Sequence, residues 1–382
     1  MAWSFRHIGI NAVFLQPRFG GLDTQTRALI PQFLRLAPDV RLSVFVSDVG
    51  RDYLADEDWV GEAELVTHPL LGRPGLRAAS ELTLLGALAP RRGVDLLYNV
   101  ALTAPIRTRA VNVILLADIT WLVAPDPSVA ATMRLWRTVV PPLARRADRI
   151  IAQSRHGAQD IVARLGVEEQ RIDIVLPGHE GGARVAPTPE PELRERLGLG
   201  AGPIVLTVSQ KRPHKNLLRL ISAMVGVRER VPGALLVLPG NVTEHEAELR
   251  AHARALGLGD AVAFPVYVEA ADLEGLYSAA ECFVIASINE GFGLPILEAQ
   301  HRGIPVACSN ASALPEAAGA GAHYFDPYDV AGIATAIGDL LTDRELAARL
   351  VAEGRGHEAT MTWERSAQDT LESFERAWAY RR

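Results

Sequence analysis

With 382 residues the chain is too long for one ordinary hydrophobic core, so two α/β domains of roughly 180 residues each are expected. Hydrophobic residues make up 48% and charged residues 22%, a globular composition that excludes a fibrous or disordered chain. The formal net charge of −6 divides into +2 over residues 1–177 (20 Arg against 18 Asp and Glu) and −8 over the remainder, which argues against a nucleic-acid partner.

No apolar run reaches the roughly 18–20 residues that span a bilayer, and the opening MAWSFRHIGINAVFLQP lacks the basic-then-apolar order of a signal peptide, so a cytoplasmic location is expected. Cys282 and Cys308 sit in apolar, strand-like runs, CFVIAS and IPVACS, and read as small buried hydrophobes.

Along the first half, the strand-like runs HIGINAVFL, LSVFVS, DLLYNV, VNVILLA and RIIAQS alternate with amphipathic or Pro/Gly-marked stretches, the grammar of βαβ units on a parallel sheet. After the first run, PRFGGLDTQTRAL places Gly20 and Gly21 at a first βα turn, without the full G-x-G-x-x-G dinucleotide pattern. A plain turn and a close approach to a ligand both fit the pair. Segment MRLWRTVVPPLARRADRI sets Arg134, Arg137, Arg145, Arg146 and Arg149 among apolar residues. It reads either as a surface helix broken at Pro141 and Pro142 or as a peripheral contact with an anionic membrane face. Ser154 lacks a nucleophile-elbow pattern.

The Pro-, Gly- and Glu-rich stretch from Pro177 to Gly202 breaks the rhythm and reads as a hinge. The expected division is 1–177, a linker at 178–202, a second domain at 203–362 and a terminal amphipathic helix at 363–382.

Beyond the hinge, IVLTVS is followed directly by SQKRPHKNLL. The chain has 37 arginines and only two lysines, Lys211 and Lys215, both in this segment. A compact ammonium kept at one place suits phosphate charge better than a planar guanidinium does. Solvated basic residues at a helix start are the alternative, and they would oppose the helix dipole.

ALLVLPG, VAFP and CFVIAS follow as further strands, and then NEGFGLPILEAQHRGIPVAC carries the strongest signal. Glu290 falls in a loop at a strand end, Gly291 and Gly293 allow close backbone approach, Pro295 suits a first helical turn, and Glu298 lies within the helix. Backbone N–H groups and the helix N-terminus make a diphosphate seat, and the two carboxylates are acceptors for hydroxyl groups. The alternative is a tight turn beside a solvated carboxylate. No H-E-x-x-H, paired C-x-x-C or Asp-x-Asp signature occurs, and the histidines and acids are too scattered along the chain to suggest a metal.

With these residues in place, the chain resembles the family 4 glycosyltransferases of the GT-B fold over nearly its whole length. Glu290 to Glu298 looks like that family's Glu-seven-Glu motif, and PHKN like its basic phosphate motif. The resemblance implies an α/β fold of two facing Rossmann-like domains with parallel sheets and a C-terminal helix crossing back to the N-terminal domain. It implies a retaining, metal-independent transfer of a hexose-type sugar from a nucleotide-diphosphate sugar, with no cofactor, to a hydroxyl of a glycan, a lipid-linked sugar or a small molecule.

By the same resemblance Lys215, and with it Lys211, would contact the donor diphosphate. Glu290 would hold the sugar hydroxyls, Glu298 the ribose, the backbone of Gly291, Phe292, Gly293 and Leu294 the phosphates and sugar, and Gly21 the diphosphate from the other domain. Two departures stand out: Ala117 precedes Asp118 where the family often has His before Asp, and Gln210 stands where many members have Arg. Asp118 would then orient an acceptor hydroxyl or cap a turn. Rival readings are a sugar-nucleotide epimerase or glycosyl phosphorylase on a similar scaffold, or a non-catalytic nucleotide-sugar-binding protein.

Overall fold

A computed structural model describes residues 3–17, 20–73, 76–124, 130–179, 185–266 and 268–382. The chain divides into two compact units: unit 1 is Met1–Leu122, Ala131–Gly178 and Met361–Arg382, and unit 2 is Val123–Ala130 and His179–Thr360.

Unit 1 carries a seven-stranded parallel sheet of β1 (His7–Asn11), β2 (Arg41–Phe45), β3 (Glu64–Val66), β4 (Leu96–Asn99), β5 (Val111–Leu116), β6 (Arg149–Ala152) and β7 (Ile172–Ile174), in the order β3-β2-β1-β4-β5-β6-β7. Every residue of β1, β4 and β5 is buried, as expected of central strands covered by helices on both faces. The strand order reverses between β1 and β4, the doubly wound arrangement.

The helix Trp363–Arg381 completes this unit. Thr362 accepts from the Arg365 N–H at its start, and its apolar face buries Trp363, Leu371, Phe374 and Ala377. The Phe374 ring meets Tyr98 at 5.1 Å, Phe33 at 5.9 Å and Phe5 at 6.1 Å between centroids. Arg376 and Arg381 pair with Asp173 and Asp148 at 3.0 and 2.8 Å. Gly178 is held to glycine by this packing, because a Cβ there would stand 2.2 Å from the Trp363 backbone nitrogen.

Unit 2 carries a six-stranded parallel sheet of β8 (Ile204–Leu206), β9 (Leu235–Val237), β10 (Val262–Ala263), β11 (Ala280–Ile285), β12 (Val306–Ser309) and β13 (His323–Phe325), in the order β10-β9-β8-β11-β12-β13. The helices Leu217–Arg230 and Val330–Thr342 pack together beside it, and Leu220, Ile221, Met224, Ile333 and Ile337 are buried in one cluster with strand residues Leu236, Val284 and Ala307. Here the order reverses between β8 and β11.

Three sequence expectations are corrected. Of the supposed linker 178–202, residues 180–184 lie outside the described residues, but the rest is not a tether: Glu190–Leu197 is a helix of unit 2. Acidic Glu190 and Glu192 open it, Arg194 pairs with Glu190 at 2.8 Å, Leu193 is fully buried, and Gly198 ends it at φ +64°. Thr188 and Arg196 bind Asp272 at 2.6 and 2.8 Å and fasten both ends of the segment. Second, the helix Ala130–Arg146 runs through Pro141 and Pro142 without a break, with Val140, Leu143 and Ala144 buried. Third, Arg149 is not part of an open basic face, since it forms a two-pronged bond to Asp173 at 2.7 and 2.8 Å. Among the described residues no helix is long and apolar enough to cross a membrane.

Candidate functional site

Two loops of unit 2 meet at the C-terminal ends of the paired strands β8 and β11. Open parallel sheets take their ligands at such a reversal of strand order.

The loop after β8 ends in the turn Pro213–Lys215, and Asn216 at φ +58° passes the chain into the helix Leu217–Arg230. The Asn216 side-chain amide is 4% exposed and donates to Ala286 O at 3.1 Å and Pro327 O at 2.7 Å. The Ile288 N–H donates to His214 O at 2.9 Å. These bonds fix the Pro-His-Lys turn against the loop that follows β11.

In that second loop, Glu290 is clamped at backbone and side chain. Its N–H donates to Ser312 Oγ at 3.1 Å, and the Ser312 hydroxyl donates to its carbonyl at 2.8 Å. Lys215 Nζ and Ser287 Oγ both reach Glu290 Oε1, at 2.6 and 2.7 Å. Burial pushes the Glu290 carboxyl upward, but the Lys215 charge and hydrogen bond, the Ser287 hydroxyl and the nearby His214 outweigh it and hold the pKa below the usual carboxylate value.

Gly293, at φ +121°, turns the chain into the helix Leu294–His301, and a Cβ there would lie 3.0 Å from Leu314 Cδ2 and 3.2 Å from Ile296 Cδ1. Pro295 sits in the first turn, and among the described residues no side chain caps the helix N-terminus. Pro295 has no N–H and the Ile296 N–H donates to Gly293 O at 2.9 Å, so of the first-turn groups the Leu294 N–H is the one left among the described residues to meet an anion, together with the partial positive charge of the terminus. Phe292, 4% exposed, anchors the loop to the core between Gly291 and Gly293.

Glu298 lies in the second turn, where one carboxylate oxygen accepts from the Tyr277 hydroxyl at 2.5 Å. Burial dominates here and raises the Glu298 pKa, in spite of Tyr277 and Arg302.

Lys211, expected at the diphosphate, is engaged with other partners. Its ammonium is fully buried, donates to Gly240 O at 2.7 Å and pairs with Glu246 at 3.2 Å. Burial lowers its pKa, and Glu246 offsets part of that cost. Unit 1 holds the two remaining candidates. Gly21 opens the helix Gly21–Leu36 after Gly20 at φ +103°. Asp118 follows β5 and its Oδ1 accepts from the Thr120 N–H at 2.8 Å, the turn-capping role.

Sequence reasoning missed Ser287, Ser312, Asn216 and Tyr277. Asn216 alone carried a signal, as a residue that tolerates the left-handed region at a helix start. It also missed a gathering of His179, His301 and Glu358 in unit 2, residues scattered in sequence that the fold brings together. Cys282 and Cys308 are buried free thiols on β11 and β12, pushed up by burial, Cys282 to about 12.

Comparison with known proteins places these residues in context. The family model for glycosyl transferases group 1 matches residues 189–357, which include both loops. A GDP-mannose-dependent alpha-(1-6)-phosphatidylinositol monomannoside mannosyltransferase of Mycolicibacterium smegmatis is 30% identical over 303 residues, 64% of this chain and 79% of the relative. A D-inositol 3-phosphate glycosyltransferase of Nocardia farcinica is 32% identical over 244 residues, 61% of this chain but only 54% of the relative, so the match spans about half that protein's length. Among solved structures, Anabaena HepE in complex with UDP and glucose superposes with a TM-score of 0.73 at 19% identity, over 97% of this chain and 99% of that one, a likeness of fold.

Proposed function

The chain belongs to the group 1 glycosyl transferases, family 4 enzymes of the GT-B fold, and on that premise we propose that it moves a hexose-type sugar from a nucleotide-diphosphate sugar to an acceptor hydroxyl with retention at the anomeric carbon. The observation that carries this reading is the Lys215–Glu290 pair, 2.6 Å apart beside the uncapped helix start at Leu294. An ammonium, the positive end of a helix and a half-buried carboxylate at one strand end suit the parts of such a donor: a diphosphate, its leaving charge and a hydroxyl-rich sugar.

On binding, the diphosphate takes the Lys215 ammonium and the positive helix end at Leu294, and the Glu290 carboxylate turns from its lysine to the sugar hydroxyls. As the glycosidic bond breaks, negative charge grows on the leaving phosphate, where Lys215 and the helix terminus stabilise it. The sugar passes through an oxocarbenium-like ion pair, and the leaving phosphate takes the acceptor proton on the face it vacates. Glu298 receives the ribose through the oxygen not held by Tyr277. Gly21 and Asp118 stand in unit 1, and Asp118 is the residue proposed to orient the acceptor hydroxyl. The acceptor is a glycan or lipid-linked sugar, in keeping with the phosphatidylinositol mannoside relative, and exposed Arg134 and Arg137 supply a peripheral contact with an anionic membrane face.

Labelled sugar nucleotides incubated with glycan and lipid-linked acceptors test the reading. Nucleoside diphosphate appearing with a new glycoside of unchanged anomeric configuration is the expected product. Free sugar, an epimerised donor, or binding without turnover across the panel would contradict it.

A further inference from the structure

We propose that His179, His301 and Glu358 form a binding site for one Zn2+ ion, built from residues that take no part in the donor site.

The three donor atoms lie within 4.8 Å of one another. His301 Nδ1 is 3.3 Å and His179 Nε2 3.8 Å from the same oxygen, Glu358 Oε1. A tetrahedral zinc site with bonds of about 2.0–2.1 Å spaces its ligand atoms about 3.3 Å apart, so the His301–Glu358 pair already stands at ligand spacing. Rotation of His179 brings in the third. Two imidazoles and one carboxylate suit zinc among the common divalent ions, and leave a fourth position for water.

Two further observations point to a cation rather than to a simple ion pair. His179 is the first. Its side chain is 11% exposed, and its Nε2 is buried with no hydrogen-bond partner among the described residues. A contact between His301 and Glu358 alone would leave that nitrogen unsatisfied, whereas a metal engages all three groups.

Helix geometry is the second. His301 is the last residue of the helix Leu294–His301, and Glu358 is the last of Arg344–Glu358, which packs against it. Both C-terminal ends carry partial negative charge, and a carboxylate at such an end adds to it. Arg302 does not supply the missing positive charge to Glu358, since it binds Glu274 at 2.9 Å and lies over the Tyr277 ring.

The site has a definite place in the chain. His179 is the residue at which the chain enters unit 2 from Gly178, and Glu358 lies two residues before it leaves at Thr360. One ion would thus tie both ends of this stretch to the helix that opens at the donor loop, and would stabilise unit 2 by mass action. The role is structural, and the transfer chemistry does not depend on it.

Full-length protein, stripped with EDTA and titrated with Zn2+ alone by calorimetry, is the test. One ion per chain, a rise in Tm with Zn2+, and an affinity weakened about 100-fold or more in His179→Ala and in Glu358→Gln are expected. Absence of stoichiometric binding, or undiminished binding in both variants, would overturn the site. Should either variant fail to fold, Co2+ added to the wild-type protein decides: visible bands of four-coordinate cobalt support the site, and the spectrum of hydrated octahedral ion overturns it.

Discussion

Lys215 and Glu290 hold each other in a buried contact, so removing either leaves a charge in a place built for two. Lys215→Ala and Glu290→Ala should each lower transfer by about 100-fold or more, since a charge-stabilising group in a dry site commonly contributes about 2.7–4 kcal/mol. Lys215→Ala should also shift the Glu290 titration upward, because burial remains once the ammonium is gone. Since the folded pKa of Glu290 is depressed, its stabilising contribution is present above the ordinary carboxylate pKa and is lost as pH falls through the depressed value. The stability gap between wild type and Lys215→Ala should therefore be widest near neutrality and narrow on acidification, as followed by urea unfolding across pH.

Lys211→Ala should destabilise the fold by about 1–3 kcal/mol, since the Gly240 carbonyl loses its donor while Glu246 keeps Arg250 at 2.8 Å, and leave donor affinity in the folded protein unchanged, as read by urea unfolding and calorimetric titration. Composition singled out both lysines, and the fold sets Lys215 beside Glu290 and Lys211 against Gly240 and Glu246. A side chain's direction is decided by partners distant in sequence, here Gly240 and Glu246, and no local pattern announces them. Glu290 and Glu298 were legible because their spacing around Gly293 and Pro295 is itself a local strand-to-helix pattern. Ser287 and Ser312 were not, since serine is common in loops and its role depends on the fold.

At the scale of elements, the turn at Gly293 is the part most sensitive to a single methyl group. Gly293→Ala would force a side chain onto φ +121° and against Leu314, so a stability loss of about 1–2 kcal/mol is expected. Donor affinity should weaken with it, because the helix start would shift from the diphosphate; urea unfolding reads the first and calorimetric titration with a sugar nucleotide the second. The C-terminal helix offers a separate check. Phe374→Ala removes a ring packed on Phe33 and Tyr98 in unit 1 and should cost about 3–5 kcal/mol in thermal or urea unfolding, with the donor loops unaffected.

Strands such as β5, buried throughout, and β11, buried from Cys282 to Ile285, were readable as apolar runs, whereas β3, β7 and β13 are sheet edges, mostly partly exposed, and carry no apolar run. The helix Glu190–Leu197 was hidden by its own composition. Its Pro, Glu and Gly resemble a linker, and only the Glu190–Arg194 pair and the burial of Leu193 make it a packed element. The prolines of Ala130–Arg146 misled in the opposite direction: they predict a break, and tertiary burial of Val140, Leu143 and Ala144 holds the helix together instead.

For the whole molecule, the division into two doubly wound units follows from length and from strand-helix alternation, and each unit has its own strand reversal where a ligand can sit. The uneven charge gives the excess of acid to the half that carries the donor loops. Under the proposed function an anionic donor meets a body of net negative charge, and its binding rests on the Lys215 ammonium and the helix terminus at Leu294. That dependence is the central claim, and hydrogen–deuterium exchange of the full chain with and without saturating sugar nucleotide tests it most directly. Protection concentrated in residues 207–216 and 286–298, and abolished in Lys215→Ala, is predicted. Protection elsewhere in the chain, or an unchanged pattern in that variant, would contradict it.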